Sequence, residues 1–297
     1  MTATFALPPA LAPGDLVVVV APSSPFLRDD LWPGLAWLRT RYRIRLAASA
    51  LARDGYLAGD DERRRTELAR AFVDPEAKAI VATRGGYGAM RVALDLPWSE
   101  LARRPKWLVG FSDITTLHAL ASREGIASIH GPNVTGLGPQ ASPWIRAAWL
   151  SAVEGPTAPR VWGGLRVVHP GRARGTMLGG NLAILHAMAA SGCLFVPEGA
   201  VLALEDVTEA PYRVDRMLTS LQLGGHLARA SAIVFGGFER CSPGLDGRTI
   251  DEVLEERTRS LGIPVLAGAP FGHGTDNEAF VIGQPATVEG DEVRLAT

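Results

Sequence analysis

Short apolar, β-branched runs alternate with amphipathic stretches over the first 135 residues, and this alternation constrains the fold more than any other feature. Leu16 to Ala21, Ala79 to Thr83, Trp107 to Val109 and Ala127 to His130 each read as a strand. Such near-continuous apolar runs suit strands buried on both faces. Between them, Asp29 to Arg41, Asp60 to Phe72 and Ile114 to Ser122 carry helical periodicity. Pro33 is tolerable only in the first turn of its helix, because it lacks an N–H and crowds the preceding turn. Parallel strands need crossover connections, usually helices. The pattern therefore predicts an α/β fold with a mostly parallel sheet flanked by helices.

From about Gly136 to Arg174 the pattern breaks, with frequent Gly and Pro and only short strand-like runs such as Leu165 to Val168. This predicts a connection (136–174) between an N-terminal domain (1–135) and a C-terminal one (175–297). In the latter, Gly179-Gly-Asn reads as a turn into a helix, and Val201 to Leu204 as a strand closed by Glu205-Asp206. Pro211 to Leu223 is a helix with Val214, Met217, Leu218 and Leu221 on one stripe. Thr249 to Glu252 has the form of a capping box. Val265 to Ala267 is a strand leading into the loop Gly268 to Gly274. Phe280 to Ile282 and Ala286 to Leu295 read as closing β-structure, with Gly290-Asp291 at a hairpin turn.

Composition excludes several function classes. At 297 residues the chain can bury a large core, and its net charge of -1 offers no electrostatic footprint for nucleic acid or an anionic membrane. No apolar stretch approaches the roughly 18 residues of a membrane-spanning helix. Met1 to Gly14 lacks a basic n-region, so no secretory signal is expected. Cys193 and Cys241 then read as reduced thiols, which fits the cytoplasm. The six histidines are scattered, without His-Glu-x-x-His or Cys-x-x-Cys, so no metal is expected. Arg84-Gly-Gly-Tyr-Gly-Ala-Met-Arg91 lacks the Gly-x-Gly-x-x-Gly spacing, and there is no Gly-Lys-Ser/Thr, so no cofactor is expected either.

Three polar residues follow strand-like runs, where open α/β sheets place ligands. Ser112, in Gly110-Phe-Ser-Asp-Ile114, sits on a strand-to-helix turn that suits a nucleophilic hydroxyl. His273 could exchange its proton, and Glu205 could fix the imidazole tautomer. The Asp113 backbone N–H and the Gly85-Gly86 turn are candidate oxyanion donors. Each has a plainer reading. Ser112 suits a helix N-cap, Asp113 complements a helix dipole, Glu205 could cap a helix or pair with Arg213 or Arg216, and the glycines could serve turn geometry. The spacing is not Gly-x-Ser-x-Gly, so the α/β-hydrolase fold is not supported.

Further blocks stand in order along nearly the whole chain. They are Val20-Ala-Pro-Ser-Ser24, Ala82-Thr-Arg-Gly-Gly-Tyr-Gly88, Lys106 to Thr116, His130-Gly-Pro132 and Gly179-Gly-Asn-Leu182. Leu204-Glu-Asp-Val207, Tyr212-Arg-Val-Asp-Arg-Met217 and Phe271-Gly-His-Gly274 follow. In this combination the chain resembles the LD-carboxypeptidase family, serine peptidases that include muramoyltetrapeptide carboxypeptidases and microcin-immunity peptidases. The resemblance implies Ser112 as nucleophile, Glu205 as triad acid, His273 as base, and an oxyanion hole from the backbone of Asp113 and Gly86. It implies an N-terminal α/β domain and a smaller C-terminal β/α domain with the active site between them, no metal, and a homodimer. The implied reaction releases terminal D-alanine from cytoplasmic muropeptides during peptidoglycan recycling. Arg84, beside the glycine loop, is a candidate for gripping the terminal carboxylate, or else a structural ion-pair partner. The alternative substrate is an aminoacyl-nucleotide antibiotic, for which Trp144, Trp149 and Trp162 could supply a stacking platform.

Overall fold

The strand-like runs of the N-terminal half form strands because helices cover both of their faces. In the computed structural model, which describes residues 4–295, the chain divides into two units. The first spans Phe5–Pro156 and Glu278–Val281. It contains β1 (Leu16–Val20), α1 (Arg28–Arg39), β2 (Arg43–Leu46), α2 (Asp61–Val73) and β3 (Ala77–Ala82). Next come α3 (Trp98–Arg103), β4 (Trp107–Gly110), α4 (Thr115–Arg123), β5 (Ser128–His130) and α5 (Pro143–Glu154). β2, β1, β3, β4 and β5 are neighbours in that order, every pair parallel. Val17, Val19, Val81, Val109 and Ile129 pack against Leu31, Leu35 and Leu38 of α1 and Trp149 and Val153 of α5. Each leucine so buried contributes about 2 kcal/mol.

Two local expectations differ from the structure here. Pro33 lies in the second turn of α1, not the first. Its missing N–H leaves free only the Asp29 carbonyl, near the exposed helix start. β2 has the sequence Arg-Ile-Arg-Leu and escapes an apolar-run search because it is an edge strand, where charge discourages further pairing.

The second unit holds Thr157–Asn277 and, from Ile282, the described chain up to Leu295. Its elements are β6 (Arg160–Trp162), β7 (Arg166–His169), β8 (Arg172–Asn181), α6 (Leu182–Ala190), β9 (Ala200–Val207) and α7 (Pro211–Leu223). β10 (Ala230–Glu239), α8 (Ile250–Thr258) and β11 (Val265–Ala267) follow. β12 (Phe280–Ile282) joins the first sheet beside β5, whereas β13 (Pro285–Glu289) and β14 (Glu292–Leu295) form a hairpin across Gly290-Asp291 in the second. The eight-stranded second sheet has the order β6-β14-β13-β8-β9-β10-β11-β7. Its centre, β8 to β11, is parallel, and antiparallel strands flank it.

The 136–174 segment is not a separate connection. α5 buries Ile145, Trp149 and Val153 in the first unit, while β6 and β7 pair with β14 and β11 in the second, so the division falls at 156/157. Gly179 and Gly180 extend β8 instead of turning, in register with Ala203 and Leu204. A side chain at 179 would strike the Ala203 carbonyl, which explains a glycine inside a strand. Among the described residues, no helix is long and apolar enough to cross a membrane.

Candidate active site

In the first unit, the chain leaves β4 through Phe111, which is extended (φ -153°) and occupies the cap position of a single 3-10 turn, Ser112–Ile114, that runs into α4. Ser112 is therefore not the cap. It has φ +65°, a left-handed conformation that non-glycine residues rarely adopt. Holding a serine there costs on the order of 1 kcal/mol and persists only where surrounding bonds impose it. Those bonds are present. The Phe111 N–H donates to Asn133 Oδ1 (3.3 Å), and the Gly110 carbonyl accepts from the Gly131 N–H (3.1 Å) and from His118 Nε2 (2.9 Å). Because a carbonyl only accepts, His118 carries its proton on Nε2, and Nδ1 accepts from the Ser128 hydroxyl at 2.9 Å. Complete burial holds the His118 pKa down to about 4, so the ring is a neutral strut.

The glycine loop after β3 lies against this turn. A Cβ on Gly85 would fall 2.8 Å from Ser112 Cβ and 3.0 Å from its Oγ, so only glycine fits. Gly86 has φ +110° and passes beside Ser24. The loop is tied at four points. The Ser24 N–H donates to the Gly85 carbonyl (3.4 Å), the Tyr87 N–H to Ser24 Oγ (3.1 Å), and the Ala89 N–H to Asp113 Oδ2 (2.8 Å). Arg64, fully buried, donates to the carbonyls of Gly88 (2.6 Å) and Pro22 (2.7 Å) and pairs with Asp61. The Asp113 side chain thus anchors the loop, and burial raises its carboxyl pKa. Arg84 is exposed and donates to the Pro25 carbonyl at 3.1 Å.

In the second unit, Glu205 lies within β9, not beyond it, because the strand continues to Val207. Its side chain is 0% exposed, and Oε2 is 2.7 Å from His273 Nδ1. The plainer readings of Glu205, a helix cap or an arginine pair, therefore give way to an imidazole bond. The carboxylate accepts, so Nδ1 carries the proton and Nε2 is left with its lone pair when the ring is neutral. Gly272 (φ +124°) allows the loop to approach, since a Cβ there would stand 3.1 Å from Glu205 Oε2. The Gly272 N–H donates to the buried Asn277 Oδ1 at 3.3 Å. Asp206 accepts from Asn181 Nδ2 (3.1 Å) and the N–H groups of Ala183 (2.9 Å) and Val207 (2.8 Å), fixing the start of α6. Burial raises its pKa to about 6, and neighbouring Glu205 adds to the rise.

Residues 17–131 match the LD-carboxypeptidase N-terminal domain, and residues 174–288 match the LD-carboxypeptidase C-terminal domain. The chain belongs to the LD-carboxypeptidase family. It is accordingly a peptidase, a hydrolase of the carboxypeptidase class. A Synechocystis sp. protein provisionally named a carboxypeptidase is 39% identical, over 98% of this chain and 97% of its own length. The murein tetrapeptide carboxypeptidase of Pseudomonas aeruginosa is 34% identical over 94% of each chain. The crystal structure of a muramoyltetrapeptide carboxypeptidase from Oxalobacter formigenes is similar with a TM-score of 0.86 and 28% identity, covering 95% of this chain and 99% of that one. The microcin C7 self-immunity protein MccF shares the fold, with a TM-score of 0.89 at 20% identity over 98% of each chain.

Within this LD-carboxypeptidase-family chain, Arg64, His118, Asn133, Asp206 and Asn277 support the candidate residues without having been singled out in the sequence for that role. Asn133 directly follows His130-Gly-Pro132, and Asp206 is next to Glu205, so neighbouring blocks pointed to both. Arg64 is one of three successive arginines, and nothing local distinguishes the one that is buried. The tryptophans do not form a platform. Trp149 is core, edge-on to Trp37 at 5.7 Å, Trp162 packs on Phe271 in the second unit, and only Trp144 is exposed.

Proposed function

We propose that this chain is a cytoplasmic serine LD-carboxypeptidase that releases terminal D-alanine from murein tetrapeptides during peptidoglycan recycling. Ser112 Oγ attacks the carbonyl carbon of the L-centre that precedes D-alanine, and its proton passes to His273 Nε2. The backbone N–H groups of Asp113 and Gly86 stabilise the resulting oxyanion. The C–N bond then breaks, and His273 returns the proton to the departing D-alanine amine. Water hydrolyses the ester, with its proton taken by His273 and delivered to Ser112. Glu205 holds the imidazole in the required tautomer and stabilises its charged form. The observation that carries this reading is the 2.7 Å bond between His273 Nδ1 and the fully buried Glu205. The strained Ser112 turn against a glycine loop adds to it. Arg84 is the proposed contact for the D-alanine carboxylate, with Nη1 on the Pro25 carbonyl and its other N–H donors available. The protein is proposed to act as a homodimer.

The test is D-alanine release from disaccharide tetrapeptide, followed by mass spectrometry, for wild type and Ser112→Ala. Release by wild type, with turnover lowered by about 10³-fold or more in the variant, is the expected result. Near-wild-type turnover of Ser112→Ala would remove Ser112 from the mechanism. A wild type that leaves the tetrapeptide intact would overturn the substrate.

A further inference from the structure

Tyr56 and Tyr87 are 65% and 49% exposed, and both belong to the first unit. Their rings meet edge to face, with centroids 5.7 Å apart at 62°. An exposed aromatic on its own needs no explanation, but two that pack on each other at the surface form a patch. Both are held in place. Tyr87 lies in the glycine loop, its N–H on Ser24 Oγ, between Gly86 and a residue whose carbonyl Arg64 binds. Tyr56 lies in a tight reversal in which Asp54 and Leu57 exchange backbone bonds of 2.9 Å. The next residue after Leu57, Ala58, donates its N–H to the Ser23 carbonyl at 2.9 Å. The Arg91 guanidinium, gripped by Asp61 Oδ2 through Nε (2.9 Å) and Nη2 (2.7 Å), is within electrostatic reach of both phenols. The chemistry proposed above uses none of these three side chains.

We propose that Tyr56 and Tyr87 form a saccharide subsite that takes the amino-sugar end of the muropeptide, an inference that rests on the murein-tetrapeptide reading above. A pyranose presents C–H groups on its face and hydroxyls at its rim. An aromatic face is electron-rich and suits the former, while phenol O–H and guanidinium N–H groups suit the latter. The reach also fits. Three peptide residues separate the sugar from the scissile bond, a span of about 10 Å when extended. Tyr87 is two residues, at most about 7 Å, from Gly85. Gly85 itself lies against Ser112. Because the loop is pre-ordered, a sugar stacked there would not have to organise it.

The test uses Ser112→Ala protein, which holds ligand without turnover, and calorimetric titration with two ligands. One is the free tetrapeptide, and the other is the same peptide carrying its disaccharide. Tighter binding of the sugar-bearing ligand by about tenfold is expected, the size of one well-made aromatic contact. Adding Tyr56→Ala should collapse that ratio toward one. Equal affinities in the parent, an unchanged ratio after Tyr56→Ala, or binding of neither ligand would overturn the subsite. Saturation-transfer NMR with the free disaccharide gives an independent readout: contact with tyrosine rings supports the subsite, and its absence opposes it. D-alanine release by wild type is scored separately. A sugar preference that depends on Tyr56 in a protein releasing no D-alanine keeps the subsite and removes the reaction. Release with no sugar preference does the reverse.

Discussion

The serine-bearing and histidine-bearing regions are built by different means. Around Ser112 the backbone does most of the positioning. One residue is held at φ +65°, a glycine loop is pressed against it, and carbonyls are clamped by Arg64 and His118. Around His273 a side chain does it: a carboxylate inside a central strand fixes the ring through one 2.7 Å bond. Among the described residues, Ser112 is one of three non-glycine residues with positive φ, and His273 is not among them. At Ser112 itself, backbone strain goes with an oxygen that must project from a turn. At His273 a fully buried carboxylate orients the ring directly, whereas the buried Arg64 and Asp113 near Ser112 act through the loop backbone. The first arrangement is sensitive to backbone change, the second to loss of a single ionised group.

This contrast can be broken most sharply at Glu205. Glu205→Gln keeps the size of the side chain but removes the charge that favours one tautomer and the protonated ring. Its kcat for the proposed D-alanine release should fall about 10³–10⁴-fold with KM little altered. A loss below tenfold would show that His273 is oriented by something other than this carboxylate.

Acidification separates two supporting groups next, one from each region, because His118 and Asp206 respond with opposite sign. The folded-state pKa of His118, about 4, lies below its ordinary value. Its contribution is therefore present above pH 6.5 and is lost as pH falls toward 4, by about 3 kcal/mol. The Asp206 pKa is raised to about 6, so its contribution is full below the ordinary aspartate value and is lost as pH rises through 6. Asp113, and Glu67 of α2, which accepts from the Ala21 N–H at 2.8 Å, are both raised by burial and act in the first unit with the same sign as Asp206. Differences from variants isolate each group. Between pH 7 and 4, wild type should lose stability relative to His118→Gln in denaturant titrations and gain it relative to Asp206→Asn. Parallel curves for either pair would refute that group's part.

The smallest effect concerns strain itself. Ser112→Gly relieves the left-handed conformation and should raise stability by about 1 kcal/mol while abolishing activity. His273→Gly, with no such strain to relieve, should give no gain. Equal melting temperatures for Ser112→Gly and wild type would mean that the turn is not strained.

The sequence made the parallel sheet and the separate candidate residues legible because each depends on local pattern. Val17 to Val20, Ile80 to Ala82 and the Pro211 stripe carry their burial in their spacing. What it concealed depends on distant atoms. Arg64 looks like any helical arginine until Pro22 and Gly88 turn their carbonyls toward it, and Gly179 looks like a turn until Ala203 lies beside it. The 136–174 segment read as a connection because its helix and strands serve different units, so neither shows a pattern long enough to count.

One consequence lies in the path of the chain. β12 reaches the first sheet only after the whole of β6 to β11 has been made, and Phe280 stacks on His130 at 5.0 Å. The ribosome must therefore deliver the chain through β11 and on to β12 before the edge beside β5 is covered, and until then that edge is an open template for mispairing. The N-terminal unit is thus not a cassette that gene fusion or truncation at 156/157 could move intact. The late strand ties its maturation, and its inheritance, to the chain that carries the histidine.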